Sequence, residues 1–257
     1  MPEKCRVYHC LSGFNWRSCP PYIYNMNLSD KVAIVTGASK GVGLATVRLL
    51  LEKGVKVAGW SRTASPVKHE NFKSYPADLR NPASITMAYE ATVKKFGKDI
   101  SILINNAGIG YKANFEDLPV EQWMEMFDIN VHGLFYCSRL LIPGMKARRE
   151  GTIINISSTS GKTGSEGFSG YCGTKFAVQG ISQAMYKELR EYGVKVTCLY
   201  PGAINTHFFD NIQSIEANPD MLNPEDVAIA IVQVLESSPH CHPVELEVRS
   251  MGAKVKN

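Results

Sequence analysis

Tyr171 and Lys175 stand four residues apart in Tyr171-Cys172-Gly173-Thr174-Lys175, a stretch that continues with helical character to about Arg190. At that spacing both side chains leave one helix face. An ammonium beside a phenol favours the phenolate and is expected to lower the tyrosine pKa from its ordinary value of about 10. A tyrosine tuned in this way can give a proton to a carbonyl oxygen or take one from an alcohol. Such a pair often arises by chance, and gains meaning from what precedes it. Ile153-Ile154-Asn155-Ile156-Ser157-Ser158 reads as a buried strand ending in hydroxyls, with Ser158 lying 13 residues before Tyr171. Ser158 can hydrogen-bond the same carbonyl oxygen, although a turn or a helix cap would use Ser157 and Ser158 equally well.

A second chemical feature lies near the start of the regular pattern. Thr36-Gly37-Ala38-Ser39-Lys40-Gly41-Val42-Gly43 falls where a strand hands over to a helix. A dinucleotide pyrophosphate needs close backbone approach and a helix N-terminus with unpaired N–H groups, and glycines supply both. The spacing is G-x-x-x-G-x-G, so the glycines alone fit a plain structural turn as well. Charge around the loop bears on the cofactor. A site for NAD usually ends its second strand with an acid that grips the ribose hydroxyls. This strand ends Gly59-Trp60-Ser61-Arg62, and Lys40 adds another cation. A 2′-phosphate carries roughly −1.5 to −2 charge at neutral pH. Two cations and the Ser61 hydroxyl suit it, so NADP(H) is the expected cofactor, against the alternative of two solvated surface cations.

These residues need a frame, and the hydropathy pattern supplies one. Short apolar runs at 32–36, 55–60, 73–77, 101–104, 152–156, 194–199 and 244–248 read as strands. A helical stretch from Val42 to Lys53 ends at Gly54, and another opens at Asn81-Pro82 and ends at Gly97. Strands without clean alternation, separated by helical stretches, indicate an α/β fold: a doubly wound (Rossmann) seven-stranded parallel sheet covered on both faces. One domain is expected over 27–257. Residues 1–26, crowded with Cys, Pro and aromatics, are expected to be a poorly ordered extension or to precede a functional start at Met26.

Composition closes off other classes. The chain has 257 residues, 44% hydrophobic and 20% charged, which is ordinary for a globular domain. No apolar run approaches the roughly 18 residues of a membrane span. The net charge of +4 is too weak and scattered to argue for nucleic acid, and half of it lies in residues 1–25. Seven cysteines at irregular spacing contain no C-x-x-C pair. A reducing compartment, the cytoplasm, is therefore expected. A metal site from Cys5, Cys10 and Cys19 with His240-Cys241-His242 is the weaker reading, and no metal is expected.

With these motifs in order, the chain resembles the short-chain dehydrogenase/reductase family over residues 28–250. Thr36 to Gly43 matches its T-G-x-x-x-G-x-G, and Asn105-Asn106-Ala107-Gly108 its N-N-A-G. Asp78, followed by Leu79, matches the acid that contacts adenine. Asn130, Ser158, Tyr171 and Lys175 fill the catalytic positions. Pro201-Gly202, Ile204 and Thr206 resemble the segment flanking the nicotinamide, and Ile156 at the strand end belongs to the same wall. The resemblance implies hydride transfer to a small-molecule carbonyl, with Tyr171 as acid, Ser158 orienting the oxygen, and Lys175 binding the nicotinamide ribose. Asn130 would hold a water in a proton relay.

Within that family the specificity region follows the P-G motif. Phe208 and Phe209 fit either an apolar pocket or packing under a mobile lid, and Glu166, Phe168 and Tyr111 are further candidates for the pocket wall. The C-terminal Val244–Met251 segment lacks the Asp-Gly-Gly turn of many 3-oxoacyl-carrier-protein reductases. It looks more like the 3-hydroxy-acid dehydrogenase and sepiapterin-reductase branches. Phe176, Gly180 and Ala184 form an apolar small-residue stripe suited to a homodimer or homotetramer, or to intramolecular packing. A catalytically silent NADP(H)-binding sensor is the alternative function.

Overall fold

The structure, a computed structural model, describes residues 26–206, 208 and 220–252. The expectations for residues 1–25, the three N-terminal cysteines and Phe209 lie outside the described residues. All seven expected strands form: β1 (Val32–Thr36), β2 (Lys56–Ser61), β3 (Phe72–Pro76), β4 (Ile100–Asn105), β5 (Gly151–Ile156), β6 (Val194–Pro201) and β7 (Glu245–Val248). They pair in parallel in the order β3-β2-β1-β4-β5-β6-β7. Strand ends shift by a residue or two for local reasons. Val55, expected in β2, instead donates its N–H to Leu50 O in the turn that ends the first helix, with Gly54 at φ +75°.

Side-chain alternation on the central strands feeds two cores. Val35, Ile104, Ile154 and Leu199 face one layer, with Leu50, Val227 and Ile231 from α1 (Gly41–Glu52) and α6 (Pro224–Leu235). Ile34, Leu103, Ile153 and Val196 face the other, against Ile85 of α2 (Pro82–Phe96), Leu141 of α4 (Gly133–Arg148) and Met185 of α5 (Ser169–Leu189). All residues of β1 and β4 are buried, as a parallel sheet covered on both sides requires. Asn81 caps α2 by accepting from Ala83 N at 2.9 Å, and Gly97 ends it at φ +88°.

One feature was not legible in the pattern. α3 (Val120–Phe127) runs into α4 through a π-helical turn at Asp128–His132, which carries the buried Asn130. Such a turn inserts an extra residue into the helical ladder and often accompanies functional sites.

Candidate active site

Strand order reverses between β1 and β4, so their carboxyl ends leave a crevice where open α/β sheets bind ligands. A cleft of about 1280 Å³ opens there. Its walls include Gly37, Ser39, Lys40, Gly41 and Val42 after β1, then Ser61 and Arg62 after β2, and Asp78 and Leu79 after β3. Asn106, Ala107 and Gly108 follow β4, Ile156 and Ser158 close β5, and Pro201, Gly202, Ile204 and Thr206 follow β6. Tyr171 and Lys175 reach it from α5.

The glycine loop is held by the turn beyond β4. Thr36 Oγ1 accepts from Asn106 N and Ala107 N, both at 3.0 Å, while Asn106 Nδ2 donates to Thr36 O at 2.8 Å. Gly37 and Gly41 adopt φ of +67° and +55°, a region that favours glycine. The first turn of α1 receives no side-chain cap, leaving its N–H groups aimed at the cleft end. The arrangement fits a pyrophosphate ester: bare backbone, a helix N-terminus and flanking cations. Gly43 does not line the cleft. It lies beneath the loop, where a Cβ would come 2.2 Å from Gly37 O.

The cation end differs in one respect from expectation. Ser61 turns its hydroxyl inward, donating to Thr63 O at 2.6 Å, and so has no proton to offer a ligand. Thr63 and Ser39, joined by a 3.1 Å hydrogen bond, are the hydroxyls that stand on the wall with Lys40 and Arg62. Thr63 lies beyond the strand end at which the sequence pattern stops, and a hydroxyl one residue after Arg62 is the only sequence signal for it. Asp78 is occupied by Arg80, whose Nη2 lies 2.7 Å from Oδ2, and this pairing holds its carboxyl below the usual range.

At the other end Ser158, Tyr171 and Lys175 converge. The Ser158 hydroxyl accepts from Ser160 N at 3.1 Å, capping a short 3₁₀ turn, and shares the cleft wall with Tyr171, whose pKa it pulls down. The cap leaves Ser158 on the cleft wall. Ser157, also on the cleft wall, donates to Lys175 O at 2.9 Å. The expected acidification of Tyr171 is not found. Burial pushes its pKa up to about 12, against the pull of Ser158. Lys175 donates to Ile156 O at 2.9 Å, and its Nζ is 5.6 Å from the Tyr171 ring centre. Burial pushes the lysine down to about 8. The ammonium is spent on a backbone carbonyl, and low polarity acts against charge on both groups.

Asn130 stands behind the wall rather than on it. Its Nδ2 donates to Ile109 O at 2.9 Å and to Thr174 Oγ1 at 3.0 Å, and its Oδ1 accepts from Ile109 N at 2.9 Å. It fastens the loop after β4 to α5 between Tyr171 and Lys175. Among the specificity candidates, Phe168 and Phe208 line the cleft, whereas Tyr111 and Glu166 do not. Tyr111 is turned to Glu125, donating at 2.7 Å. Phe208 stands with its ring centre 5.4 Å from that of Tyr171.

A doubly wound sheet with a glycine loop at its switch point and a Ser/Tyr/Lys group opposite defines a nucleotide-binding oxidoreductase architecture. The short chain dehydrogenase family matches residues 31–217. The chain belongs to that family and is an oxidoreductase. An uncharacterized oxidoreductase of Staphylococcus aureus (strain USA300) is 34% identical over 229 residues, covering 86% of this chain and 98% of the relative. Another, from Staphylococcus saprophyticus, is 32% identical over 221 residues, 80% of this chain and 89% of its own length. A serine dehydrogenase complexed with NADP+ has a TM-score of 0.81 at 29% identity, covering 88% of this chain and 97% of that one. A 3-ketoacyl-(acyl-carrier-protein) reductase from Brucella melitensis complexed with NADH has a TM-score of 0.77 at 30% identity, with 86% and 97% covered.

Proposed function

We propose that the protein is an NADPH-dependent reductase that converts a carbonyl compound to an alcohol. The observation that carries this reading is the convergence of Ser158, Tyr171 and buried Lys175 on the same cleft as the glycine loop. Lys40, Arg62, Ser39 and Thr63 support a 2′-phosphate at the adenosine end, and the solved relative bound to NADP+ agrees with it.

Hydride is what a reduced nicotinamide supplies when bound, and the chain's own residues handle the proton and the substrate oxygen. A phenol with a pKa of about 12 is protonated at neutral pH, which is the form that can donate. Tyr171 gives its proton to the carbonyl oxygen as negative charge develops there. Ser158 hydrogen-bonds that oxygen and holds it in line with the phenol. Lys175 orients the ribose end of the cofactor. Asn130 acts as a positioning residue through Ile109 and Thr174. The exposed stripe of Phe176, Gly180 and Ala184 on α5 supports association with a second copy of this chain, and the cytoplasm is the compartment we infer.

The test is NADPH oxidation with a panel of ketones, 3-oxoacyl thioesters and dicarbonyls. Tyr171→Phe should lower turnover by about 10³-fold or more while leaving the NADPH dissociation constant within about twofold, since general acid catalysis is worth roughly 10²–10⁴. Wild-type rates in that variant would remove Tyr171 from the chemistry. Tight NADPH binding without turnover of any substrate would favour a cofactor-binding sensor.

A further inference from the structure

Beside the adenosine end of the cleft, in contact with Arg62 of its wall, stands a carboxylate that the proposed reaction does not use. Glu125, on α3, places Oε1 3.3 Å from Arg80 Nη1 and 4.0 Å from Arg62 Nη1, and its Oε2 accepts from Tyr111 at 2.7 Å. Arg80 is already gripped on its other side by both oxygens of Asp78, with Nε 3.0 Å from Oδ1 and Nη2 2.7 Å from Oδ2. Arg80 is therefore shared between Asp78 and Glu125, and the Glu125 carboxylate, only partly neutralised by it, also reaches Arg62. Tyr111 and Arg80 together fix the carboxylate from two sides, so it cannot swing clear. Arg62, by contrast, is exposed and lines the cleft beside Lys40, Ser39 and Thr63.

We propose that Glu125 competes with the cofactor 2′-phosphate for Arg62 and thereby limits how strongly the site prefers NADPH over NADH. This rests on the NADP(H) reading of the site. A 4.0 Å pair with an exposed arginine is weak and easily released, so the phosphate can take Arg62 from it. The carboxylate stays behind as a like charge near the bound phosphate, and that repulsion opposes binding. NADH carries no phosphate at this position, so the repulsion falls on NADPH alone. Glu125 is a specificity-determining residue acting through Arg62.

Glu125→Gln isolates the charge, because the amide oxygen still accepts the Tyr111 hydrogen bond. Dissociation constants for NADPH and NADH, read from quenching of the protein's tryptophan fluorescence, compare wild type, Glu125→Gln, Arg62→Gln and the double variant. Glu125→Gln should bind NADPH about fivefold more tightly with NADH unchanged, an effect that shrinks with added salt. In the Arg62→Gln background the gain should fall to about half or less. If wild type prefers NADPH but Glu125→Gln binds it no better, or more weakly, the carboxylate supports Arg62 instead and the proposal is overturned. If wild type binds both cofactors alike and Arg62→Gln changes neither, the NADP(H) reading fails, and the proposal with it.

Discussion

Lys175 donates its ammonium to the Ile156 carbonyl at 2.9 Å, fastening the middle of α5 to the end of the strand that leads into Ser158. The bond fixes the spacing between Ser158 and Tyr171, yet it holds a charge in a buried place.

That charge makes a prediction about stability. The folded pKa of about 8 lies below the ordinary lysine value of 10.5, so folding works against the proton on Lys175. The sign follows from linkage. A base depressed in the folded state costs stability wherever it is protonated in both states, which is below pH 8. The cost fades between about pH 8 and 10.5, where the unfolded chain binds more protons than the folded one. Lys175→Met should therefore raise unfolding free energy by about 1–2 kcal/mol at pH 7, while turnover is lost. The gain should shrink at pH 9.5. Urea unfolding at the two pH values checks this, and a variant less stable than wild type at pH 7 would show that the Ile156 bond outweighs desolvation.

Gly43 gives a prediction of the opposite kind. A Cβ there would meet Gly37 O at 2.2 Å and Asn106 Nδ2 at 2.6 Å. Gly37 O is backbone of the loop itself, and Asn106 is anchored to Thr36 O, so neither can yield cheaply. Gly43→Ala should cost about 2 kcal/mol or more of stability and weaken NADPH binding by opening the loop from below. Thermal unfolding and cofactor titration read the two effects. A variant of wild-type stability that binds NADPH normally would mean that the contact relaxes freely.

Much of this arrangement was legible before the structure. The seven strands announced themselves because β1, β4 and β5 are short, apolar and bounded by glycines or polar turns. The glycine loop and the Tyr171/Lys175 pair were readable because each depends on local spacing. What stayed hidden depends on contacts distant in sequence. The π turn at Asp128–His132 follows from how α3 and α4 meet, and no periodicity in Phe127-Asp128-Ile129-Asn130 signals it. The direction of the Tyr171 shift is not legible in the sequence, because spacing on a helix shows only that two side chains share a face. It does not show that Lys175 is bonded to Ile156 on a neighbouring strand, or how thoroughly both are buried. Ser61 failed similarly: its hydroxyl looked available until Thr63 O took it.

Phe208 turns the last sequence ambiguity into a test of substrate size. Its ring lies tilted against that of Tyr171, with centres 5.4 Å apart, and its edge sits so close to Gly110 that a Cβ there would meet Cζ at 2.7 Å. The side chain thus occupies cleft volume next to the proposed proton donor, where a ketone bound as proposed would meet it. Phe168 closes on Tyr171 from another direction, with ring centres 6.4 Å apart. On the proposed reaction, the two rings would leave a carbonyl carbon near the phenol room for one large group and a small one. Phe208→Ala removes that wall without touching the Ser158–Tyr171 pair. It should raise kcat/KM for ketones with two bulky substituents about tenfold relative to methyl ketones, a shift of roughly 1.4 kcal/mol in transition-state binding. Substrate-panel kinetics with NADPH measures the ratio. If it is unchanged while overall activity falls, Phe208 serves to hold Tyr171 and does not shape the pocket.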